Sequence, residues 1–302
     1  MSGVALVLVF LLAGWLLRRM GRVSYSSAQV LTRVVVDVAL PALTFRAMRG
    51  LVVTSLRDVL VPVLSAWVGF AVVAGTLVWV GRARGWSKQD TGALVVVASV
   101  GNTAFVGLPL IEGLFGRQAL ATATLVDQGG SFFVVSTASV MLAAHFAGKS
   151  VSLRGMVRSV FLFAPMVGAI AGLLSRGHAL PSLLDDASAR LAALVIPLAL
   201  MAVGLRMRWD ATTLRTSGPR VAFALALKLI VAPAAVLAFA RALGLSGEPL
   251  AVTVAQCGMA PMVTAGIIAM EYGLSAEIAS ALVALGLLVS LPTVSLWALW
   301  LR

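Results

Sequence analysis

The chain has 302 residues, 61% of them hydrophobic and only 11% charged, with a formal net charge of +12. Its mean hydropathy is +1.04, whereas a soluble globular domain gives roughly a quarter of its positions to charge. A polytopic membrane protein with no separate soluble domain is expected, and its basic residues lie between apolar segments, where they set orientation rather than bind nucleic acid. One cysteine, Cys257, excludes an intramolecular disulfide and offers no metal site.

Apolar stretches of about 15 to 25 residues match a hydrocarbon core about 30 Å thick. Ten occur, at residues 3–17, 31–48, 59–80, 91–115, 118–146, 157–175, 187–205, 219–241, 249–270 and 276–300. Arg18-Arg19 follow the short first one, the reverse of a secretory signal's charge order, so no cleaved signal is expected. The loops after spans 1, 3, 5 and 7 are basic: Arg18, Arg19, Arg22 and Arg33; Arg82, Arg84 and Lys88; Lys149, Arg154 and Arg158; Arg206, Arg208, Arg215 and Arg220. Alternate loops are poorer in base, although Arg46, Arg49 and Arg57 after span 2 run against the trend, as does the loop after span 9, which has Glu271 and Glu277 but no base. The positive-inside rule makes the basic loops cytoplasmic and places both termini outside the cytoplasmic membrane.

In span 2, Asp37 stands four residues after Arg33 and one turn before Pro41, so an i,i+4 ion pair near the interface is its plain account. Span 4 holds Gly101-Asn102-Thr103-Ala104-Phe105-Val106-Gly107-Leu108-Pro109. Proline removes a backbone donor and glycine lets the chain leave helical geometry. Inside a membrane such backbone survives only where protein or a water-filled cavity satisfies it. Asn102 and Thr103 bring polar side chains to the same depth, which points to a transporter site; a kink used only for packing is the plainer reading.

Asp127 in span 5 lies roughly 13 Å of helix from the start of its span. A carboxylate at that depth costs on the order of 3 kcal/mol or more and faces a cavity. It is the candidate proton or cation carrier, with a buried structural acid as the alternative. Gly168 and Gly172 in span 6 form a GxxxG suited to helix packing rather than to a dimer. Lys228 in span 8 either snorkels to the interface or presents a positive charge to the cavity, able to pair with Asp127 or attract an anion. In span 9, Gln256-Cys257-Gly258-Met259-Ala260-Pro261, with Thr264 beyond, is a second break. Where two breaks meet, half-helix N-termini direct partial positive charge at one point, which suits a carboxylate. Asp185, Asp186 and Glu248 read as solvated loop residues.

An internal repeat is visible. Pro197 of span 7 stands 156 residues after Pro41 of span 2, and Pro261 stands 152 after Pro109. An odd number of spans per copy inverts the second, giving five-helix repeats over 1–150 and 151–302. Discontinuous helices at equivalent places in inverted halves mark a transport site. No HExxH or P-loop is present, and His145 and His178 have no ligand partners at motif spacing. No enzyme, cofactor or metal is expected.

The span 4 nonapeptide resembles the GN-x-x-F-x-G-L-P signature of the auxin efflux carrier family, whose bacterial members include malate- and malonate-permease-like proteins. Gly14-Trp15-Leu16-Leu17-Arg18-Arg19, Leu40-Pro41-Ala42-Leu43, Ala260-Pro261 with Glu271-Tyr272-Gly273, and Leu291-Pro292 extend the resemblance along the chain. It implies an all-α polytopic protein of ten transmembrane helices in two inverted five-helix repeats, with broken helices 4 and 9 crossed. It implies organic-anion transport by elevator-like motion of helices 3, 4, 5, 8, 9 and 10 against a scaffold of 1, 2, 6 and 7. The short loop after span 5 departs from the plant members, and Thr264 stands where the family would place asparagine.

The expected function is secondary transport of small organic anions, carboxylates above all. Asn102, Thr103, Gly107, Pro109, Gln256, Pro261 and Thr264 form the expected substrate site, and Asp127 and Lys228 serve ion coupling. The coupling ion, proton or sodium, stays open, and so does a homodimer. A receptor or structural subunit that keeps the fold without turnover is the alternative.

Overall fold

The computed structural model describes residues 2–53, 55–206 and 211–301, so Arg208 of the basic loop after span 7 lies outside the described residues. The described chain is helical, without a β-strand among the described residues. Helices occupy every apolar segment: α1 (Ser2–Arg19), α2 (25–49), α3 (Arg57–Ala83), α4 (α4a Lys88–Ala98, α4b Thr103–Phe115), α5 (Arg117–Ala147), α6 (α6a Leu153–Phe161, α6b Ala164–Leu174), α7 (182–206), α8 (211–242), α9 (α9a Gly247–Cys257, α9b Val263–Glu271) and α10 (Ala276–Leu301). Six of them are long and apolar enough to cross a membrane. The 27 residues of α3 reach about 40 Å. Large apolar side chains stay exposed along these helices, among them Leu12, Leu64 and Leu296, as lipid contact requires of a membrane helix.

Proline shapes the helices without ending them. Three π turns, Val35–Ala39, Thr103–Gly107 and Leu227–Val231, each close two residues before a proline: Pro41, Pro109 and Pro233. A proline cannot donate to the carbonyl four residues back, and the wider turn absorbs the misfit. The orphaned Leu229 carbonyl accepts instead from Trp297 Nε1 at 3.1 Å. A further π turn, Leu125–Ser131, carries Asp127.

The chain divides into two compact units, each drawing on both ends of the sequence. The first comprises Met1–Thr54, Ala104–Thr124 and Arg158–Met207. Here α1 packs along α7, with Arg18 donating to the Leu205 carbonyl at 2.7 Å. Helix α6b lies against α2 so closely that a Cβ on Gly168 or Gly172 would collide with the Pro41 or Phe45 backbone. Thr44 seals that contact through the Pro165 carbonyl at 2.8 Å. Asp185 and Asp186 lie in helix Ser182–Ala193 rather than in a loop, and Asp185 pairs with Arg46 at 2.5 Å.

The second unit comprises Ser55–Thr103, Leu125–Val157 and Arg208–Arg302. Helix α3 packs on α8 and on the π turn of α5. Residues 91–98 of α4a and 250–257 of α9a are buried on every face, so both half-helices are apolar all round except at Thr91, Thr253 and Gln256. Glu248 begins helix α9a instead of lying in a loop. Residues 104–124, most of α4b and the start of α5, group with the first unit rather than with the helices the resemblance would join them to. Asp37 and Arg33 form no ion pair among the described residues, because the π turn Val35–Ala39 widens the spiral and takes Asp37 off the face of Arg33.

Candidate functional site

Helix α4a ends at Ala98, and the chain runs extended through Gly101 and Asn102 before helical geometry resumes at Thr103. Helix α9a ends at Cys257, and α9b begins at Val263. The two breaks meet: Asn102 N–H donates to the Ala260 carbonyl at 2.7 Å, and Met262 N–H donates to the Val100 carbonyl at 2.9 Å. Gly101 and Pro261 thus form an antiparallel bridge between interrupted helices. This pairing satisfies backbone groups that an apolar interior would otherwise leave bare.

The break in α4 falls earlier than the glycine and proline pattern suggests. Gly107 closes the π turn and Pro109 sits in the first turn of the α-helical stretch that follows, both buried in the first unit. The π turn just before Pro109 absorbs the misfit of its missing N–H inside the continuous helix. The polar side chains of the second unit gather at the bridge instead. Asn102, Thr103, Asp127, Lys228 and Gln256 are all buried there. Thr103 Oγ1 donates to Asp127 Oδ1 at 2.5 Å, Gln128 Nε2 donates to Asp127 Oδ2 at 2.6 Å, and Gln256 Nε2 donates to the Thr103 carbonyl at 3.4 Å. Pro261 packs against α10, where a Cβ on Gly286 would collide with its ring. Thr264 lies exposed in the first turn of α9b, outside this network.

Lys228 is 3% exposed, and a Cβ on Gly101 would stand 3.3 Å from its Nζ. The absent side chain at Gly101 gives the ammonium room beside the bridge. No carboxylate lies within ion-pair distance of it among the described residues, so Lys228 and Asp127 are not paired. The site therefore holds a buried lysine with no carboxylate partner among the described residues and a carboxylate fixed by two side-chain donors. A buried charge in low dielectric draws an opposite one.

Gln128 was not among the expected site residues. Neighbours in sequence point about 100° apart on an α-helix and rarely share a partner, but within the π turn both oxygens of Asp127 are reached from Thr103 and Gln128. Gln128 Oε1 and Ser65 Oγ of α3 are buried without a hydrogen-bond partner among the described residues.

Interrupted helices joined inside a multi-pass, apolar, all-helical chain define a membrane transport protein. The chain belongs to the membrane transport protein family of the auxin efflux carriers, whose family model matches residues 1–159 and again 148–298. It is 29% identical to an uncharacterized transporter of Methanothermobacter thermautotrophicus over 97% of this chain and 95% of that one. It is 33% identical to probable auxin efflux carrier component 5a of Oryza sativa over 45% of this chain and 38% of the rice protein. Auxin efflux carrier component 1 of Arabidopsis thaliana shares 27% identity over 62% of this chain and 31% of its own length.

Proposed function

We propose that this transporter carries small organic anions, carboxylates above all, across the cytoplasmic membrane. In this reading ten helices span the bilayer as inverted repeats over 1–150 and 151–302, with both termini outside. The observation that carries the substrate class is Lys228, buried beside the Gly101–Pro261 bridge with no carboxylate partner among the described residues. The carboxylate of a substrate supplies the missing counter-charge. Asn102, Thr103 and Gln256 surround it with hydrogen-bonding groups, and the N-terminus of α9b, which has no side-chain cap at Met262, adds partial positive charge. Pro261, Gly107 and Pro109 shape the backbone of the two breaks. Thr264, exposed in the first turn of α9b, meets the solute only as it enters. Asp127, with its partner Thr103 in the bridge segment, relays occupancy to a coupling proton or sodium ion.

The division into two compact units supports alternating access of the elevator kind, with the bridge carried wholly by the second unit. The test is counterflow in proteoliposomes across mono- and dicarboxylates at varied pH and sodium. Asn102→Ala is expected to abolish counterflow while expression stays intact. Retained exchange removes Asn102 from the site, and ligand-induced thermal stabilisation without any flux in the parent protein turns the reading into that of a receptor.

A further inference from the structure

The second unit contains a separate cavity of about 180 Å³ where the end of α3, the start of α4a and the end of α5 converge. Arg82, Lys88 and His145 line it, with Trp86, Thr91 and Phe146. None of the three basic side chains has a carboxylate partner among the described residues. The nearby acid, Asp90, is committed to Arg220 at 2.7 Å, and Arg220 in turn lies over the Trp86 ring at 5.5 Å from its centre. The indole wall is thus held in place, while the basic residues of its cavity have no acidic partner among the described residues. The first unit gives the contrast. Its cavity of about 240 Å³ is also lined by two arginines, but Arg46 is paired with Asp185 and Arg117 with Glu112.

One helical turn along α3 and α5 from the lining residues stand exposed apolar side chains. Trp79, three residues before Arg82, is 71% exposed, and Met141, four before His145, is 51% exposed. A basic cavity at the ends of membrane helices, with an apolar flank below it, has the two-part chemistry of a lipid: an anionic head group and acyl chains. A soluble phosphate would use the first part and leave the second idle.

We propose that this cavity binds the phosphodiester head group of an anionic phospholipid, with Arg82, Lys88 and His145 around the phosphate and the acyl chains along Trp79 and Met141. In the orientation proposed above the site faces the cytoplasmic leaflet, but the proposal does not depend on transport.

The experiment is native mass spectrometry and thermal unfolding of the full-length protein in nanodiscs of phosphatidylcholine with or without phosphatidylglycerol. Retained phosphatidylglycerol and a raised unfolding temperature are expected. Each cation removed, by R82Q or K88Q, is expected to weaken retention about fivefold. R84Q, which removes a charge from the same loop but not from the cavity lining, leaves retention unchanged. Equal losses for R84Q and R82Q overturn the proposal in favour of a diffuse surface charge. Equal stabilisation by glycerol 3-phosphate in pure phosphatidylcholine overturns the lipid assignment in favour of a soluble phosphate. Both side chains are exposed at the protein surface; each single variant is read beside its own unfolding curve in phosphatidylcholine, which separates lost binding from lost fold.

Discussion

Thr103 and Asp127 are joined by a hydrogen bond of 2.5 Å that ties the first residue of α4b to the π turn of α5. A hydrogen bond to a buried charged group contributes about 1.5–3 kcal/mol. Thr103→Val, which keeps the shape and removes the donor, is expected to lower stability by about 2 kcal/mol and to stop counterflow. Thr103→Ser, which keeps the hydroxyl, is expected to retain both. Unfolding curves and flux for the pair check this; a Thr103→Val protein as stable as its parent shows that Asp127 draws its support from elsewhere.

Lys228 gives the opposite signature. Its ammonium is buried without a carboxylate partner among the described residues, and an unpaired buried charge costs several kcal/mol. Lys228→Met fills a similar volume without the charge. Its unfolding temperature is expected to rise or stay level while binding of carboxylates is lost. A marked fall in stability would make Lys228 a structural residue and remove the counter-charge from the site.

The glycine and proline pattern located the interrupted regions of α4 and α9, because proline and glycine act on backbone within a turn or two of themselves, but it did not mark the break between α6a and α6b. Nor did it place the break in α4 itself. Pro109 is accommodated inside α4b, and the chain leaves the helix earlier, at 99–102, where the partner break supplies hydrogen bonds from 160 positions away in sequence, Gly101 facing Pro261. Long-range pairing of that sort has no local signal. The π turns were hidden for a related reason: a proline announces a lost N–H but not how the helix absorbs it. So Asp37 left the face of Arg33, and in a π turn that no proline marks Gln128 joined Asp127; an α-helical wheel shows neither. Asp185 read as a loop residue because its helix opens with polar side chains, although an acid in a first helical turn is favourably placed against the dipole. Depth in an apolar segment pointed to the burial of Asp127 and Lys228, since a charge there must be enclosed by protein.

Gly168 and Gly172 face the backbone of Pro41 and Phe45 of their own chain. Small residues at such spacing let helices approach closely in a membrane, and here the contact is internal to the first unit. Gly168→Leu forces α6b off α2, an overpacking worth about 1–3 kcal/mol. The expected outcome is a lowered unfolding temperature with an unchanged oligomeric state on gel filtration with light scattering. A shift in oligomeric state instead would assign the motif to contact between chains.

Trp297, Leu229 and Pro233 form a compensated set. Pro233 has no N–H for the Leu229 carbonyl, and Trp297 Nε1 of α10 donates to it at 3.1 Å. Lys228 lies in the same π turn, one residue before. Trp297→Phe leaves that carbonyl bare in an apolar setting, at about 1–3 kcal/mol. It also frees the turn that aims the ammonium, so carboxylate affinity is expected to fall with stability. Pro233→Ala restores a backbone donor to Leu229 and lets the turn tighten toward α-helix, which rotates Lys228 away from Gly101. That variant is expected to be as stable as the parent yet poor in flux. The two changes act on one carbonyl, so they are not additive: Trp297→Phe is expected to cost less in the Pro233→Ala background than in the parent. A double-mutant cycle of unfolding free energies measures the difference. Strict additivity would show that the indole donor is incidental, and the π turn around Lys228 would then need another cause.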